Sequence, residues 1–328
     1  MKDPKEIKLP RTLQQAVQMY SDGQTCVDTV AALRWPDGVP RCPKCAKTEH
    51  YYISTQQRFK CKACRHQFSV KQGSIFEDSP IPLSKWLIAT WMLANCRNGV
   101  SSYEIARATG VTQKSAWFML HRLRLAMRNR SGFKLGGPGS ECEADETYVG
   151  GKLRNMHVRK RAELRGSGGA IRNKAIVMGT IDRTAGKARA EVVPYLHRDT
   201  MDAMVRKHVK YGSTVYTDSH IGYDHLGWRY NHAVVNHMEE YVRGRVHTQG
   251  IENFWSLLKR GLNGTYVSVE PFHLHRYLDE QVFRYNNRKD ENDKPVPDSV
   301  RFAELLSQIA GRRLTFAEVT GKVGETTN

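Results

Sequence analysis

The chain has 328 residues, with 51 Lys and Arg against 33 Asp and Glu, giving a formal net charge of +18. Its 40% hydrophobic content supports at least one sizeable core, and its length suits one large domain with smaller ones. No stretch approaches the roughly 18 apolar residues of a spanning helix, which argues against a membrane protein. The basic excess instead suits a polyanion, because Lys and Arg displace counterions condensed on nucleic-acid phosphates. The opening residues MKDPKEIKLPRTL carry no apolar signal region, so a cytoplasmic location is the expectation.

Residues 1–38 read as a helical segment, with one or two helices over 12–35. The following segment, 39–72, is short, Cys-rich and aromatic, and too small to fold without a staple. It carries Cys42–Cys45 and Cys61–Cys64, two CxxC pairs with 15 residues between them. Each pair puts two sulfurs on one tight knuckle, and two knuckles close a tetrahedron around zinc. Four thiolates leave no open coordination position, so this Zn²⁺ is structural. A redox dithiol would not need four cysteines at this separation. Cys26, Cys96 and Cys142 read as small buried hydrophobes. Basic residues such as Lys44, Arg58, Lys60 and Lys62 surround the ribbon, which leaves both DNA contact and docking to another domain open.

Residues 80–135 read as a helical DNA-binding domain. An apolar helix over 84–95 is followed by helices over 101–109 and 112–130, separated by Gly110-Val111, which matches a helix-turn-helix. In the last helix Ala116, Leu120, Leu123 and Met127 form a buried stripe. Lys114, His121 and Arg128 recur every seven residues on another face, with Arg122 and Arg124 nearby, and no acid occurs between Val111 and Arg130. A basic recognition helix lying in the major groove is the expectation, against the blander reading of a solvated basic face.

Gly136-Gly137-Pro138-Gly139 then reads as a hinge. Beyond it, strands are expected over 143–148, 175–182, 189–194, 214–217 and 233–236, with helices over 200–209 and from about Gly250, hence a mixed α/β domain over 140–290. The eight basic residues between Lys152 and Lys174, beside the single acid Glu163, read as a loop that orders on DNA or as a surface insertion. The tail, 291–328, is expected to wrap the surface before a short helix.

Three acids stand out in this region. Asp145 lies in a strand-like stretch, Asp218 ends a second one, and Glu252 opens the later helix. Lys259 lies seven residues after Glu252, two turns along the same helix face. Ile251, Phe254, Trp255, Leu258 and Leu262 supply an apolar face that would anchor the helix to a sheet. Glu146 should point away from Asp145 across the strand, while Glu143 shares its face and suits a supporting role. Asn253, His220, Tyr223 and His247 are further candidates for substrate contact, though packed or solvated roles suit the last three better.

The order of zinc ribbon, helix-turn-helix, DETYVGGK, TDSHIGY and HTQGIENFWSLLKRGLNGTY resembles zinc-ribbon-bearing insertion-sequence transposases with an RNase-H-like DDE catalytic domain. The resemblance covers residues 25–290. It implies a mixed sheet flanked by helices and a catalytic triad of Asp145, Asp218 and Glu252 binding two Mg²⁺ ions, with Mn²⁺ as a substitute. Lys259 would position a phosphate, and Lys259 and Arg260 would join the helix-turn-helix cations on DNA. The implied activity is binding of terminal inverted repeats, hydrolysis of a phosphodiester and strand transfer. The implied partners are double-stranded DNA and further copies of the chain, in a nucleoid-associated setting. Two other readings remain: a DNA-binding regulator with an inactive or domesticated catalytic domain, and a nuclease or resolvase without strand transfer.

Overall fold

A computed structural model describes residues 8–129, 132–151, 157–165, 174–235 and 247–323. The chain divides into two compact units, Met1–Arg128 with Pro295–Asn328, and Asn129–Lys294.

The first unit opens with α1 (Leu13–Met19) and α2 (Gly23–Arg34), capped by the side chains of Thr12 and Asp22. A three-stranded antiparallel ribbon follows, β1 (His50–Ile53), β2 (Arg58–Cys61) and β3 (Gln67–Phe68). Its inner face is aromatic: Phe59 lies 5.3 Å from Phe68, 5.1 Å from Tyr52 and 5.8 Å from Trp35 at the end of α2. The ribbon therefore has a small apolar core besides its cysteines. Next come α3 (Leu83–Asn95), α4 (Ser102–Thr109) and α5 (Gln113–Met127). A capping box of Ser101 and Glu104 starts α4, and Gly110, at φ +63°, ends it in the left-handed conformation that favours glycine. The helix-turn-helix expected there is present, though α5 ends before Arg130, which lies outside the described residues.

The second unit is a five-stranded sheet of order β6-β5-β4-β7-β8. Its strands are β4 (Glu141–Val149), β5 (Ala175–Asp182), β6 (Lys187–Val193), β7 (Thr214–Asp218) and β8 (Asn231–Val235). The first three pair antiparallel, while β7 and β8 run parallel to β4. This mixed sheet has the RNase-H-like arrangement that the resemblance implies. Helix α6 (Val158–Arg165) follows β4, while residues 152–156 and 166–173 of the basic segment lie outside the described residues, as does Asn236 of the expected last strand. Helix α7 (Arg198–His208) covers one sheet face, joining a core of Met178, Met201, Val205, Val215 and Tyr223. Helices α8 (Gln249–Arg260) and α9 (Leu274–Asn286) cover the other, around Val177, Ile181, Ile251, Phe254 and Leu278.

The glycines expected to form a hinge are part of this unit. Leu135 is buried in the α7-side core and bridges Val209, and the Gly136 N–H donates to Asp182 Oδ2 at 2.8 Å. A Cβ on Gly136 would stand 2.5 Å from Ser213 Oγ, and its φ of +73° already favours glycine. These glycines serve close packing, not a loose joint.

The tail also departs from expectation. Helix α10 (Asp298–Ser307) belongs to the first unit, with Phe302, Leu305 and Leu306 fully buried and Tyr20 5.9 Å from Phe302. Helix α11 (Phe316–Val319) sets Phe316 5.6 Å from Phe118 of α5. The tail's apolar residues at helical spacing complete a core. No helix among the described residues is long and apolar enough to cross a membrane.

Candidate functional site

The four ribbon cysteines meet as the spacing requires. Their sulfurs all lie within 4.8 Å of one another, with Cys42 3.6 Å from Cys64 and Cys45 3.5 Å from Cys61. A tetrahedron of Zn–S bonds near 2.3 Å has edges of about 3.8 Å, so the donor set fits zinc. The two knuckles share one geometry: Ala46 and Arg65, each following a CxxC, have φ of +58°, and their N–H groups donate to the Cys42 and Cys61 carbonyls. The Cys64 and Ala63 backbone N–H groups point at the Cys61 sulfur, which helps to hold it as a thiolate. The ribbon holds structural zinc.

In the second unit, β4 carries Asp145 and β7 ends on Asp218. Their parallel pairing runs from Glu141↔Thr214 to Glu143↔Tyr216, two residues short of Asp145 and Asp218, and the Asp218 charge is felt at Asp145. Asp145 is pushed up to about 7, first by burial and then by the neighbouring charges of Glu146 and Asp218, against a hydrogen bond from Trp255. A buried carboxylate pushed up by burial and by neighbouring negative charge suits a hard divalent cation, which would offset both desolvation and repulsion. Glu146 turns to the α7 side, as the strand alternation requires, and accepts from the buried Tyr223 hydroxyl at 2.8 Å. Tyr223 is thus a packed support, while the His220 Nδ1 accepts from the Gly222 N–H in its own turn.

Glu252 is exposed in the first turn of α8, where its Oε1 accepts from Thr248 Oγ1 at 3.0 Å. Among the described residues, the cysteines form the one group of three or more metal-capable side chains with ligand atoms within 4.8 Å of one another. The carboxylates of Asp145, Asp218 and Glu252 do not meet that closely. Lys259 and Arg260 are exposed in the last turn of α8. With Glu252, Asn253 and Ser256 they make a polar face, opposite Ile251, Phe254, Trp255 and Leu258.

Two further residues matter here that periodicity alone did not single out. Trp255 lies on the apolar face of α8, yet its indole Nε1 donates to Asp145 Oδ2 at 2.9 Å. A buried indole N–H needs an acceptor, and that requirement was the available signal. Arg183, on the turn after β5, donates from Nε to Glu143 Oε1 at 2.5 Å and stands 4.4 Å over the Tyr216 ring. Nothing in its sequence surroundings marks it.

The basic face expected on α5 is mostly internal. His121, Arg122 and Arg124 are 0%, 4% and 1% exposed. His121 lies 4.3 Å from the Trp117 ring, and Arg122 donates to the Leu314 carbonyl at 3.0 Å while standing over Phe118. The physical reason is the returning tail, whose Leu314 and Phe316 cover the side of α5 that a lone helix-turn-helix would leave to solvent. These three residues are corrected to packing roles. Lys114, in the first turn of α5, and Arg128, at its end, are exposed.

Comparison with known proteins matches residues 134–286 to an ISXO2-like transposase domain and residues 21–67 to a transposase zinc-ribbon domain. An uncharacterized protein in transposable element ISH50 of Halobacterium salinarum is 28% identical over 258 residues, covering 75% of this chain and 85% of that protein. An uncharacterized transposase-like protein of Haemophilus influenzae is 33% identical over 102 residues, covering 31% of this chain and 82% of that protein.

Proposed function

Because the chain belongs to the transposases that join a transposase zinc-ribbon domain to an ISXO2-like transposase domain, we propose that it cuts and rejoins the DNA ends of its own mobile element. In this reading it binds terminal inverted repeats, hydrolyses a phosphodiester to expose a 3′-hydroxyl, and directs that hydroxyl at target DNA. The observation that carries the proposal is the parallel pairing of the two strands that bear Asp145 and Asp218, with the charge of Asp218 felt at Asp145.

Asp145, Asp218 and Glu252 would hold divalent cations, Mg²⁺ or Mn²⁺. Such ions supply charge neutralisation and a nucleophile that is deprotonated at neutral pH. Asp145 and Asp218 provide oxygen donors on rigid neighbouring strands. Glu252 adds a donor from an exposed helix turn that substrate can approach. Lys259 and Arg260, two turns further along α8, hold the DNA backbone. Lys114 and Arg128 of the first unit, with the zinc ribbon, supply end recognition. Two ends must be joined together, so a dimer or larger assembly on DNA follows from the reaction.

One observation favours a different reading. Glu252 is tied to Thr248 and does not join the aspartates in one cluster, as would suit a DNA-binding regulator with an inactive catalytic domain. A duplex carrying one element end separates the two. Under the transposase reading, the wild type nicks it with Mg²⁺, Asp218→Asn binds it without nicking, and a pre-cut end is joined to target DNA. Binding by the wild type with no Mg²⁺-dependent nicking supports the regulator. Nicking without joining indicates a simple nuclease.

A further inference from the structure

The carboxyl group of Glu143 is 1% exposed and is used up by the start of α8 and its neighbours. Its Oε2 accepts the backbone N–H of Ile251 at 2.7 Å. Its Oε1 accepts from Arg183 Nε at 2.5 Å and lies 3.6 Å from His247 Nδ1. Arg183 in turn donates to His247 Nδ1 at 2.9 Å and pairs with Glu141 at 3.4 Å. The approach is so close that a Cβ on Gly250 would stand 2.9 Å from Glu143 Oε2. No other residue type fits there without moving the carboxylate.

This bond has a companion on the same strand and helix. Glu143 and Asp145 share one face of β4, two residues apart, and bond Ile251 and Trp255, four apart on α8. Two strand residues advance about 6.6 Å and four helical residues about 6 Å, so the two bonds match in pitch. They therefore fix both the slide and the rotation of α8 against β4. Glu252 leaves the helix between them, roughly 60° around the axis from Trp255.

We propose that Glu143 is a positioning residue: with Arg183 it pins the start of α8 to the strand that bears Asp145, and so sets where Glu252 is presented to the aspartate pair. The inference rests on the reading of Asp145, Asp218 and Glu252 as a divalent-cation site. Glu143 itself is no ligand in this scheme, since its oxygens are already engaged by Ile251 and Arg183. Losing a partner that orients metal ligands commonly lowers metal affinity or activity by about 10–100-fold.

The test uses full-length, zinc-loaded protein and Mn²⁺ alone as the probe. Free Mn²⁺ is followed by electron paramagnetic resonance, and amide exchange is measured at Ile251 and, as a core reference, at Val177. Glu143→Gln and Glu143→Ala are expected to weaken Mn²⁺ binding by about 10–100-fold and to speed exchange at Ile251 while Val177 stays protected. A general loss of folding would expose both amides, so the contrast between them isolates the clamp. If Glu143→Ala does not fold, Glu143→Gln decides alone. Unchanged Mn²⁺ affinity, or unchanged Ile251 exchange, in a folded variant overturns the proposal. Asp145→Asn serves as the separate control: if it binds Mn²⁺ as the wild type does, the cation site itself is wrong, whatever Ile251 shows.

Discussion

The indole of Trp255 reaches Asp145 across the gap where Gly179 has no side chain. Asp145 and Gly179 face each other on β4 and β5, and a Cβ on Gly179 would stand 2.6 Å from Trp255 Cη2. Trp255→Phe keeps the ring over the glycine and removes the donor. We expect Mg²⁺-dependent end nicking to fall about 10–100-fold, with thermal stability reduced by roughly 1–3 kcal/mol. Gly179→Ala is expected to do worse on stability, because the ring must leave its place. Equal nicking by Trp255→Phe and wild type would remove the indole from the mechanism.

Divalent cations should stabilise the second unit. Binding to the folded site alone raises stability by about 2.7 kcal/mol at 100 times the dissociation constant. Ca²⁺, which is less prone to support turnover, is the cleaner probe in calorimetry. Its addition is expected to raise the melting temperature of the wild type and to leave Asp145→Asn and Asp218→Asn where they were. A rise of the same size in all three proteins would place the binding elsewhere.

The basic residues of α5 divide into two kinds, and mutation should separate them. Lys114→Ala and Arg128→Ala are expected to weaken DNA binding and each to lower the slope of log K against log salt by about 0.9 for a lost phosphate contact. Arg122→Ala and Arg124→Ala should lower the melting temperature instead, since each side chain is buried in the first unit. If Arg122→Ala folds as well as wild type but changes the salt slope, the packing role given to it is mistaken.

Chelating zinc, or replacing Cys64 by Ser, should loosen the ribbon around Phe59 and Trp35. The expected signs are a red shift of tryptophan emission, weaker end binding and little change in the circular dichroism of the α/β sheet. An unaltered emission spectrum on complete zinc loss would show that the aromatic cluster holds the ribbon by itself.

Acid should weaken the second unit through His208 and Glu191. Burial lowers the His208 pKa below its usual value although Glu191 accepts from it at 3.1 Å. An unfolded chain takes up that proton near pH 6.5 while the folded one resists it, so stability falls as pH drops below that point. Burial alone would raise Glu191, but His208 and Lys207 bring it down to about 2. Its contribution is present above about pH 4.5 and is lost as pH falls toward 2. Melting curves of His208→Gln should flatten the upper part of this range, and those of Glu191→Gln the lower part. A wild-type melting temperature that holds steady from pH 7 to pH 3 would refute both assignments.

The five strands, the paired helices and the cysteine tetrahedron were legible because each has a local signal: alternation, helical periodicity or spacing. Strand β5 was read residue for residue, since Ile181-Asp182 and the turn after it close the apolar run. Asp145 within one strand and Asp218 at the end of another were legible as candidate acids, and their two strands pair in the sheet. What sequence could not give is contact across long separations. Arg122 looks like part of a basic stripe until Leu314, 192 residues away, covers it. The Glu143 clamp needs Arg183 and Ile251, which share no spacing rule with it. Likewise the glycines near 136 resemble any flexible joint, and only Ser213 and Cys142 close by explain them.

The return of α10 and α11 to the first unit has a consequence for synthesis. The sheet can close once residue 286 has left the ribosome, whereas the helix-turn-helix lacks its last wall until the segment near Phe316 emerges. A nascent chain stalled in between would carry the five-stranded sheet complete and the helix-turn-helix still open on one side. Completion of that wall is thereby deferred until α11 has emerged, well after every strand of the sheet.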